Sequence, residues 1–465
     1  MFGFLKKDPH MSAAAPISAK ALTAPKISGG GDAPQQRKIK VLWYSDFLWP
    51  TGFGNVAEAI LTRLKATGRY EFEVLGINHH GDPYNDPRSR YYHMKDVPVW
   101  PAYSGGPDED SMFGYRRLER MIFDRKFDVL FVLQDTFNLT RMKAIIDTAR
   151  KTKNFGYVFY FPVDGDLQPE WVTDGIDVAD FPVAYTKYAK GKVEEIDMRI
   201  AQRLDIAYHG IDPEKFKPFD SEKKRREFRK EFWNVDDDTT VFVCTNRNQQ
   251  RKDLPRLLLA HDQFCKNNPD KKSLLYLHCM SNDSAGFDLV KIAKQYTDPR
   301  FHERMVFPDQ TQMRKFGFPV EMMGCIYAGA DAVVSTTLGE GWGLMASEAM
   351  ACKTPVILPD NTTARELVGD KEERGYLAKC GSNPTQFFVL RFDNDQMRPI
   401  TDVEHLAEVM GHVAGNREEA VKKAGVAYDW IKQYTWDRIV ADFWDPLFQK
   451  AYAFSKNVPP PTENS

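Results

Sequence analysis

The stretch DAVVSTTLGEGWGLMASEAMACKTPVILPD, residues 331–360, predicts a strand, a glycine-rich loop, a helix and a second strand. Its first apolar residues, 332–336, are short and β-branched, which is typical of a buried parallel strand. From Leu344 the spacing of apolar residues indicates a helix with one buried face. Between strand and helix lie three glycines, Gly339, Gly341 and Gly343. Glycines at this point let the backbone come close to a ligand.

The junction of this loop and helix predicts a nucleotide-sugar site. A loop that opens into a helix presents unpaired N–H groups and a partial positive charge, which suit a phosphate. Glu340 lies in the loop and Glu348 lies one to two turns inside the helix. A carboxylate accepts two hydrogen bonds from a vicinal diol, such as those of ribose or a hexose. The alternative is that Glu340 is a turn residue and Glu348 a solvated helix residue.

The order Glu340-Gly341-Trp342-Gly343-Leu344, followed by Glu348, resembles the E-x7-E signature of the retaining nucleotide-sugar glycosyltransferases of family 4. The resemblance implies an α/β protein with the GT-B fold, in which two Rossmann-like domains face each other across a cleft. It also implies a C-terminal helix that crosses back to the first domain. The backbone from Gly341 to Leu344 would contact the donor, Glu348 its ribose and Glu340 the transferred sugar. The sequence departs from the family pattern at Lys353, where the family usually has glycine.

Length and composition limit the class of protein. A chain of 465 residues is long enough for two domains of about 200 residues each. The formal net charge of -2 gives no global attraction to nucleic acid or to anionic membranes. The six cysteines form no C-x-x-C pair and are expected to be buried reduced thiols. No run of 18 apolar residues occurs, so the sequence predicts a cytoplasmic protein without a transmembrane segment.

Alternating strand and helix patterns divide the chain. The predicted parts are a disordered tail at 1–37, an N-terminal acceptor domain at 38–218, a C-terminal donor domain at 219–435, a terminal helix at 436–458 that packs back on the first domain, and a disordered tail at 459–465. A further stretch, 379–400, is expected to be an irregular insertion.

The first strand–loop–helix pattern carries Gly52, Phe53 and Gly54. A G-x-G sequence alone is weak, and a tight turn without a ligand is the alternative. In the resembled family an equivalent glycine-rich loop faces the donor phosphate and the acceptor. These three residues are therefore predicted to bind the donor.

Arg247 and Lys252 follow a predicted strand of the second domain. Two cations at a strand end can neutralise a departing diphosphate without a metal. Their type and spacing match an Arg and a Lys of the resembled family, although the neighbouring Arg251 competes for the assignment. No Asp-rich metal motif occurs, so no metal and no cofactor is predicted beyond a UDP-sugar or another nucleoside-diphosphate sugar as co-substrate.

Two features point to the acceptor side. The polar and aromatic stretch 79–94 follows a strand and is a candidate acceptor loop, with His79 and His80 as contacts. A metal at these two histidines is the lesser interpretation. Asp164 occupies the place where the resembled family usually has a histidine that touches the transferred sugar. A simple turn residue is the alternative there.

The sequence thus predicts a metal-independent retaining glycosyltransferase that moves a hexose-type sugar from a nucleoside diphosphate to a hydroxyl group. The predicted catalytic residues are Glu340, Arg247, Lys252 and Asp164. A glycan, a small molecule and hydroxymethylated DNA stay open as acceptors. A DNA acceptor is suggested by residues 51–56, which are similar to phage-type enzymes acting on 5-hydroxymethylpyrimidines. The basic cluster 223–230 is typical of a solvated helix face, and DNA binding there is the lesser interpretation. The same pattern of residues is also compatible with a nucleotide-sugar isomerase and with a non-catalytic nucleotide-sugar-binding protein.

Overall fold

The computed structural model describes residues 3–4, 37–103, 105, 112–315, 317–391 and 393–457. Most of the predicted N-terminal tail and all of the predicted C-terminal tail lie outside these residues. Gly3–Phe4 form a two-residue strand parallel to Met305–Phe307, where the sequence predicts a disordered tail.

The sixteen strands of the described residues are β1 Gly3–Phe4, β2 Ile39–Asp46, β3 Tyr70–Ile77, β4 Val99–Pro101, β5 Val129–Leu133, β6 Gly156–Phe161, β7 Phe181–Ala184, β8 Asp205–Ile206, β9 Thr240–Cys244, β10 Ser273–Leu277, β11 Met305–Phe307, β12 Ala332–Val334, β13 Val356–Pro359, β14 Tyr376–Ala378, β15 Phe387–Leu390 and β16 Gln396–Pro399.

The α-helices of the same residues are α1 Gly52–Ala66, α2 Tyr115–Asp124, α3 Met142–Ala149, α4 Lys187–Glu194, α5 Met198–Arg203, α6 Glu222–Trp233, α7 Leu254–Asn267, α8 Leu289–Tyr296, α9 Gln310–Lys315, α10 Val320–Gly329, α11 Leu344–Ala351, α12 Ala364–Val368, α13 Val403–Gly415, α14 Arg417–Ile431, α15 Trp436–Ile439 and α16 Asp445–Asn457. Short 3₁₀ helices lie at Tyr92–Met94, Thr136–Leu139, Gln250–Lys252, Pro299–Arg304 and Pro384–Gln386, and π-helical turns at Trp171–Ile176 and Val440–Trp444.

The N-terminal half forms a seven-stranded sheet in the order β4-β3-β2-β5-β6-β7-β8. Its neighbouring strands all pair in parallel. Every residue of β5 and β6 is buried, because helices and the C-terminal segment cover both faces of the sheet. The chain leaves β2 in one direction to β3 and later returns on its other side to β5. Such a reversal opens a crevice at the carboxyl ends of the strands.

The C-terminal half repeats this arrangement in a second sheet, ordered β1-β11-β10-β9-β12-β13-β14 and also parallel throughout. Here β9 is the strand at which the order reverses. The carboxyl ends of β9 and β12 lead to the cation-bearing loop and the glycine-rich loop of the sequence. The two Rossmann-like sheets are those that the sequence predicts, whereas the boundaries at 218 and 435 stay predictions.

The C-terminal segment crosses from the second sheet to the first, as predicted. Trp436 N donates to Ile211 O at 3.1 Å, where the segment turns towards the N-terminal half. Trp444 is fully buried and packs edge-on against Phe131 and Tyr160, with ring centroids 5.6 and 4.7 Å away. Phe448 is buried against Phe131 as well, at 5.4 Å. Packing of this C-terminal segment against the N-terminal half therefore stabilises the contact between the two halves.

Residues 379–400 differ from the predicted irregular insertion, because β15 and β16 pair as an antiparallel hairpin. The apolar run at 387–389 is largely exposed, so it lacks the alternation of buried and exposed residues by which a strand is recognised. The hairpin reaches the N-terminal half, where Gln396 Nε2 donates to Asp166 O at 2.7 Å.

No helix in the described part of the chain combines the length and the apolar character that crossing a bilayer requires.

We expect Trp444→Ala to destabilise the protein strongly, because it removes a fully buried indole that joins the two halves. Emptying such a site typically costs about 3–5 kcal/mol. Urea denaturation followed by circular dichroism measures the loss. Phe454→Ala, in the same segment but 37% exposed, is the matched control and should cost much less. Equal losses in the two variants would contradict the anchoring role of Trp444.

Candidate functional site

The glycine-rich loop between β12 and α11 lies directly against a loop of the N-terminal half. A Cβ atom added at Gly341 would lie 2.4 Å from Pro162 Cβ, and one added at Gly339 would lie 2.0 Å from Asp164 O. Gly343 has a φ of +99°, which side chains rarely adopt. Close approach of the two halves and the backbone conformation thus both require glycine here.

The backbone of the same loop is held by the segment after β13. Thr362 Oγ1 accepts from Glu340 N at 3.0 Å. Thr363 Oγ1 donates to the carbonyl oxygens of Glu340 and Trp342, each at 3.2 Å. The Trp342 ring is buried between Tyr208 and Trp430, so this residue offers backbone rather than its side chain to a ligand.

Glu340 and Lys252 form an ion pair, with 2.5 Å between Lys252 Nζ and Glu340 Oε1. Lys252 is 9% exposed. Burial, followed by the neighbouring Arg251, lowers the pKa of Lys252, and Glu340 opposes that shift. The pair places one acceptor and one cation side by side, as a sugar next to a diphosphate requires.

Glu348 lies on α11 and faces Tyr327. Tyr327 Oη donates to Glu348 Oε2 at 2.9 Å, and Thr245 Oγ1 lies 2.7 Å from the same phenol oxygen. Burial raises the pKa of Glu348 to about 7, although the Tyr327 hydrogen bond opposes the shift. The second carboxylate oxygen accepts no hydrogen bond from the described residues, so it can accept one from a diol hydroxyl.

The two arginines of the 247–252 loop have different surroundings. The Arg247 side chain is 63% exposed and pairs with Asp283 at 3.1 Å. Arg251 is 25% exposed, pairs with Asp164 at 3.2 Å and donates to Gly339 O. In this arrangement Arg251, rather than the predicted Arg247, accompanies Lys252 at the glycine-rich loop. The role of Arg247 stays a prediction.

Asp164 belongs to the N-terminal half, and two arginines of the C-terminal half flank its carboxylate. Arg251 Nη1 lies 3.2 Å from Asp164 Oδ2, and Arg398 Nη2 lies 3.1 Å from Asp164 Oδ1. Arg398, 2% exposed, also donates to the carbonyl of Asp164. Burial alone would raise the pKa of Asp164, but the two guanidiniums outweigh it and lower that pKa below its ordinary value. Asp164 therefore stays ionised.

The first glycine loop approaches the start of α11 at Gly52, whereas donor binding by Gly52, Phe53 and Gly54 stays a prediction. Thr51 caps α1 by accepting from Gly54 N at 3.0 Å. A Cβ atom added at Gly52 would lie 3.6 Å from Leu344 Cδ1, at the start of α11. The N-termini of α1 and α11 thus lie near one another across the cleft.

His79 and His80, which the sequence predicts as acceptor contacts, pack against aromatic residues of the N-terminal half. His79 is 4% exposed and packs edge-on against Tyr84, and burial lowers its pKa. His80 is exposed and packs edge-on against Trp49 at 5.6 Å. Neither histidine lines the cavity beside Asp164.

A cavity of about 570 Å³ opens between the two halves beside Asp164. Its N-terminal wall includes Asp135, which directly precedes the 3₁₀ turn after β5. Burial, followed by the charge of Asp164, raises the pKa of Asp135 to about 7. Sequence reasoning missed Asp135 and Arg398. Asp135 could have been predicted from its position at the end of a central strand, whereas Arg398 belongs to no motif.

Comparisons with known proteins agree with this architecture. Residues 313–388 match the family model described as "Glycosyl transferases group 1". D-inositol 3-phosphate glycosyltransferase of Frankia alni is 26% identical over 193 residues, which cover 40% of this chain and 44% of that protein. The corresponding protein of Mycobacteroides abscessus is 28% identical over 184 residues, covering 39% and 37% respectively. The chain thus matches less than half the length of these curated relatives.

Solved structures show the likeness of the whole fold. Sucrose-phosphate synthase from Thermosynechococcus elongatus has a TM-score of 0.65 at 16% identity, over 90% of this chain and 100% of that one. HepE of Anabaena in complex with UDP-glucose has a TM-score of 0.62 at 15% identity, over 88% and 100%. The protein has the GT-B fold of these glycosyltransferases.

The pKa of Glu348 predicts a pH-dependent effect of Glu348→Gln. A raised pKa means that the carboxyl stabilises the fold fully below its ordinary value of 4.5, and that this contribution is lost as pH rises through about 7. Glutamine does not ionise, so the variant should be stabilised relative to the natural protein at about pH 8 and not at about pH 4. Thermal denaturation without ligand measures the difference, and a pH-independent difference would contradict this environment of Glu348.

Proposed function

We propose that this protein is a retaining glycosyltransferase that moves a hexose from a nucleoside-diphosphate sugar to a hydroxyl group of an acceptor. The observation that carries the proposal is the group of Glu340, Lys252 and Arg251 beside the start of α11, with Glu348 further along the same helix. The family model that matches residues 313–388 and the GT-B fold support it. A solved GT-B neighbour is in complex with UDP-glucose, which supports the donor class.

In the opened cleft the proposed position of the donor extends outwards from the start of α11. Its diphosphate would lie at the N–H groups of Gly343 and Leu344, with Lys252 and Arg251 or Arg247 as counter-charges. Glu348 would accept the ribose hydroxyls. The carboxylate of Glu340, held by Lys252, would accept hydroxyls of the hexose.

The reaction breaks the bond between the anomeric carbon and the diphosphate oxygen and forms a bond from that carbon to the acceptor oxygen on the same face. The acceptor proton passes to the departing phosphate, so no side-chain nucleophile is required. The chain's task is to stabilise the charge that grows on the leaving diphosphate, which falls to Lys252 and its arginine neighbour. No metal and no further cofactor enters this proposal.

The cleft has to open before a donor binds. The loops at Pro162 and Gly341 touch. The cavity beside Glu340, Trp342 and Gly343 measures only about 20 Å³. Small-molecule sites usually measure about 300–1,000 Å³. We infer that the two halves separate to admit the nucleotide-sugar and then close over it, which excludes water from the reaction.

The test is transfer from labelled UDP-glucose and other nucleoside-diphosphate sugars to a panel of hydroxyl acceptors, together with calorimetry of donor binding. Lys252→Ala should lower turnover by about 10²–10³, as expected when a leaving-group cation is lost. Glu348→Ala should weaken donor binding at least about tenfold, because it removes charge-assisted hydrogen bonds.

Two further variants complete this experiment. Comparing Arg251→Ala with Arg247→Ala shows which arginine serves the diphosphate, and the position of Arg251 favours a larger loss there. Arg300→Ala, whose side chain is 74% exposed and pairs with Asp298, is the control and should retain full turnover. Full activity of both Lys252→Ala and Glu348→Ala would refute the proposal. Conversion of donor without acceptor would instead indicate an isomerase, and tight donor binding without any transfer a binding protein.

A further inference from the structure

The cavity of about 570 Å³ is separate from the donor loop. Its walls come from the strand ends at Asp135 and Asp164, from Gln250 and Arg251, and from the β15–β16 hairpin. Glu340, Gly343 and Glu348 are not among its lining residues. The cavity nevertheless adjoins the donor loop, because Asp164 O contacts Gly339.

The charges of the cavity are unfavourable for an anion. Its lining carboxylates are Asp135, Asp164, Asp166 and Asp393. Against these four acids, the described lining holds two cations, Arg251 and Arg398. Both cations are already paired with Asp164, and Arg398 is also paired with Asp393 at 2.5 Å. A phosphate here would meet cations that already have carboxylate partners.

Two hydrogen-bond acceptors of the cavity wall, on Gln396 and Asp135, have no partner among the described residues. Gln396 Oε1 is buried and has no hydrogen-bond partner among the described residues, while its Nε2 donates to Asp166 O at 2.7 Å. The Asp135 carboxylate accepts no hydrogen bond from the part of the chain that the structure describes. Buried acceptors require donors, which hydroxyl groups supply and an ionised phosphate does not.

An aromatic pair adds a surface for a sugar ring. Phe137 and Trp171 both line the cavity, with ring centroids 5.8 Å apart. Phe137 is 36% exposed, so part of its ring is open to a ligand. The C–H face of a sugar or cyclic polyol is apolar and packs against such a ring, while its hydroxyls point to the polar walls.

The basic residues of helix α6 are all paired with carboxylates of the chain itself. Arg225 and Arg229 both pair with Asp331 at 2.9 Å, and Arg229 is buried. The remaining basic residues of the predicted cluster also have carboxylate partners: Lys223 with Glu227, Lys224 with Asp220, Arg226 with Asp237 and Lys230 with Asp236.

We propose that the cleft cavity binds an uncharged polyhydroxylated acceptor, a sugar or cyclic polyol without phosphate, and that Gln396 of the hairpin helps to select it. This proposal deepens the proposed function and rests on it. It sets the expected acceptor apart from phosphorylated sugars and from DNA.

The test uses the full chain and three acceptor groups: neutral sugars and inositol, their monophosphates, and a DNA duplex that contains 5-hydroxymethylcytosine. Acceptor binding is followed by ligand-observed NMR in the presence of a nucleoside diphosphate, and transfer by nucleoside diphosphate release. We expect a neutral compound to bind and to be favoured over its phosphate by about tenfold or more in kcat/KM. Preference for the phosphates or for DNA would overturn the proposal.

Three variants locate the binding. Gln396→Ala should raise the KM of the neutral acceptor with little change in donor affinity. Met397→Ala, the next residue on the same strand and 61% exposed, is the control and should change neither. Gln396→Arg should improve the use of phosphorylated acceptors, because it adds a cation to the cavity. Binding of neutral acceptors that is unchanged in both Gln396 variants would contradict this location.

Donor calorimetry separates this proposal from the proposed function. Absence of donor binding to the natural protein would overturn both. A donor that binds normally, together with a panel in which no neutral acceptor binds at millimolar concentration, would overturn the acceptor proposal alone.

Discussion

The geometry of the cleft depends on the ion pairs that Asp164 forms with Arg251 and Arg398. These pairs join a loop of the first sheet to a loop and a hairpin of the second, with both guanidiniums within 3.2 Å of the carboxylate. The two guanidiniums keep this carboxylate, whose side chain is 30% exposed, ionised between the two halves. Because these contacts are made in the closed cleft, they also fix how near Pro162 comes to Gly341. Opening the cleft would break a charged contact of the kind that a bound donor can replace.

Two further carboxyl groups, on Glu348 and Asp135, have unusual pKa values. Glu348 and Asp135 both have pKa values raised to about 7, chiefly by burial. A carboxyl in that condition costs stability when it ionises, and hydroxyl donors from a ligand relieve the cost. Carboxyls with perturbed pKa values are typical of functional sites.

Much of this arrangement was predictable because parallel sheets place their functional loops at strand ends. The glycines and acids of 339–348 indicated the loop that we propose for the donor, and Lys252 lies beside Glu340 in the structure. The roles of Arg247 and Arg251 were not separable, since both follow β9 and only side-chain direction distinguishes them. The contact of Arg398 with Asp164 was not predictable, because Arg398 lies on a hairpin that the sequence predicts as irregular. His79 looked functional from its polar surroundings, but the fold buries it.

The proposed activity requires that one nucleoside-diphosphate sugar binds where Glu348, Glu340 and Lys252 converge. A crystal structure of the protein with UDP-glucose or another nucleoside-diphosphate sugar measures this directly. We expect ribose hydroxyls on Glu348 and the diphosphate on Lys252 and the helix start, at hydrogen-bond distances of about 2.7–3.2 Å. A nucleotide bound away from both Glu348 and Lys252 would show that these residues do not form the donor site.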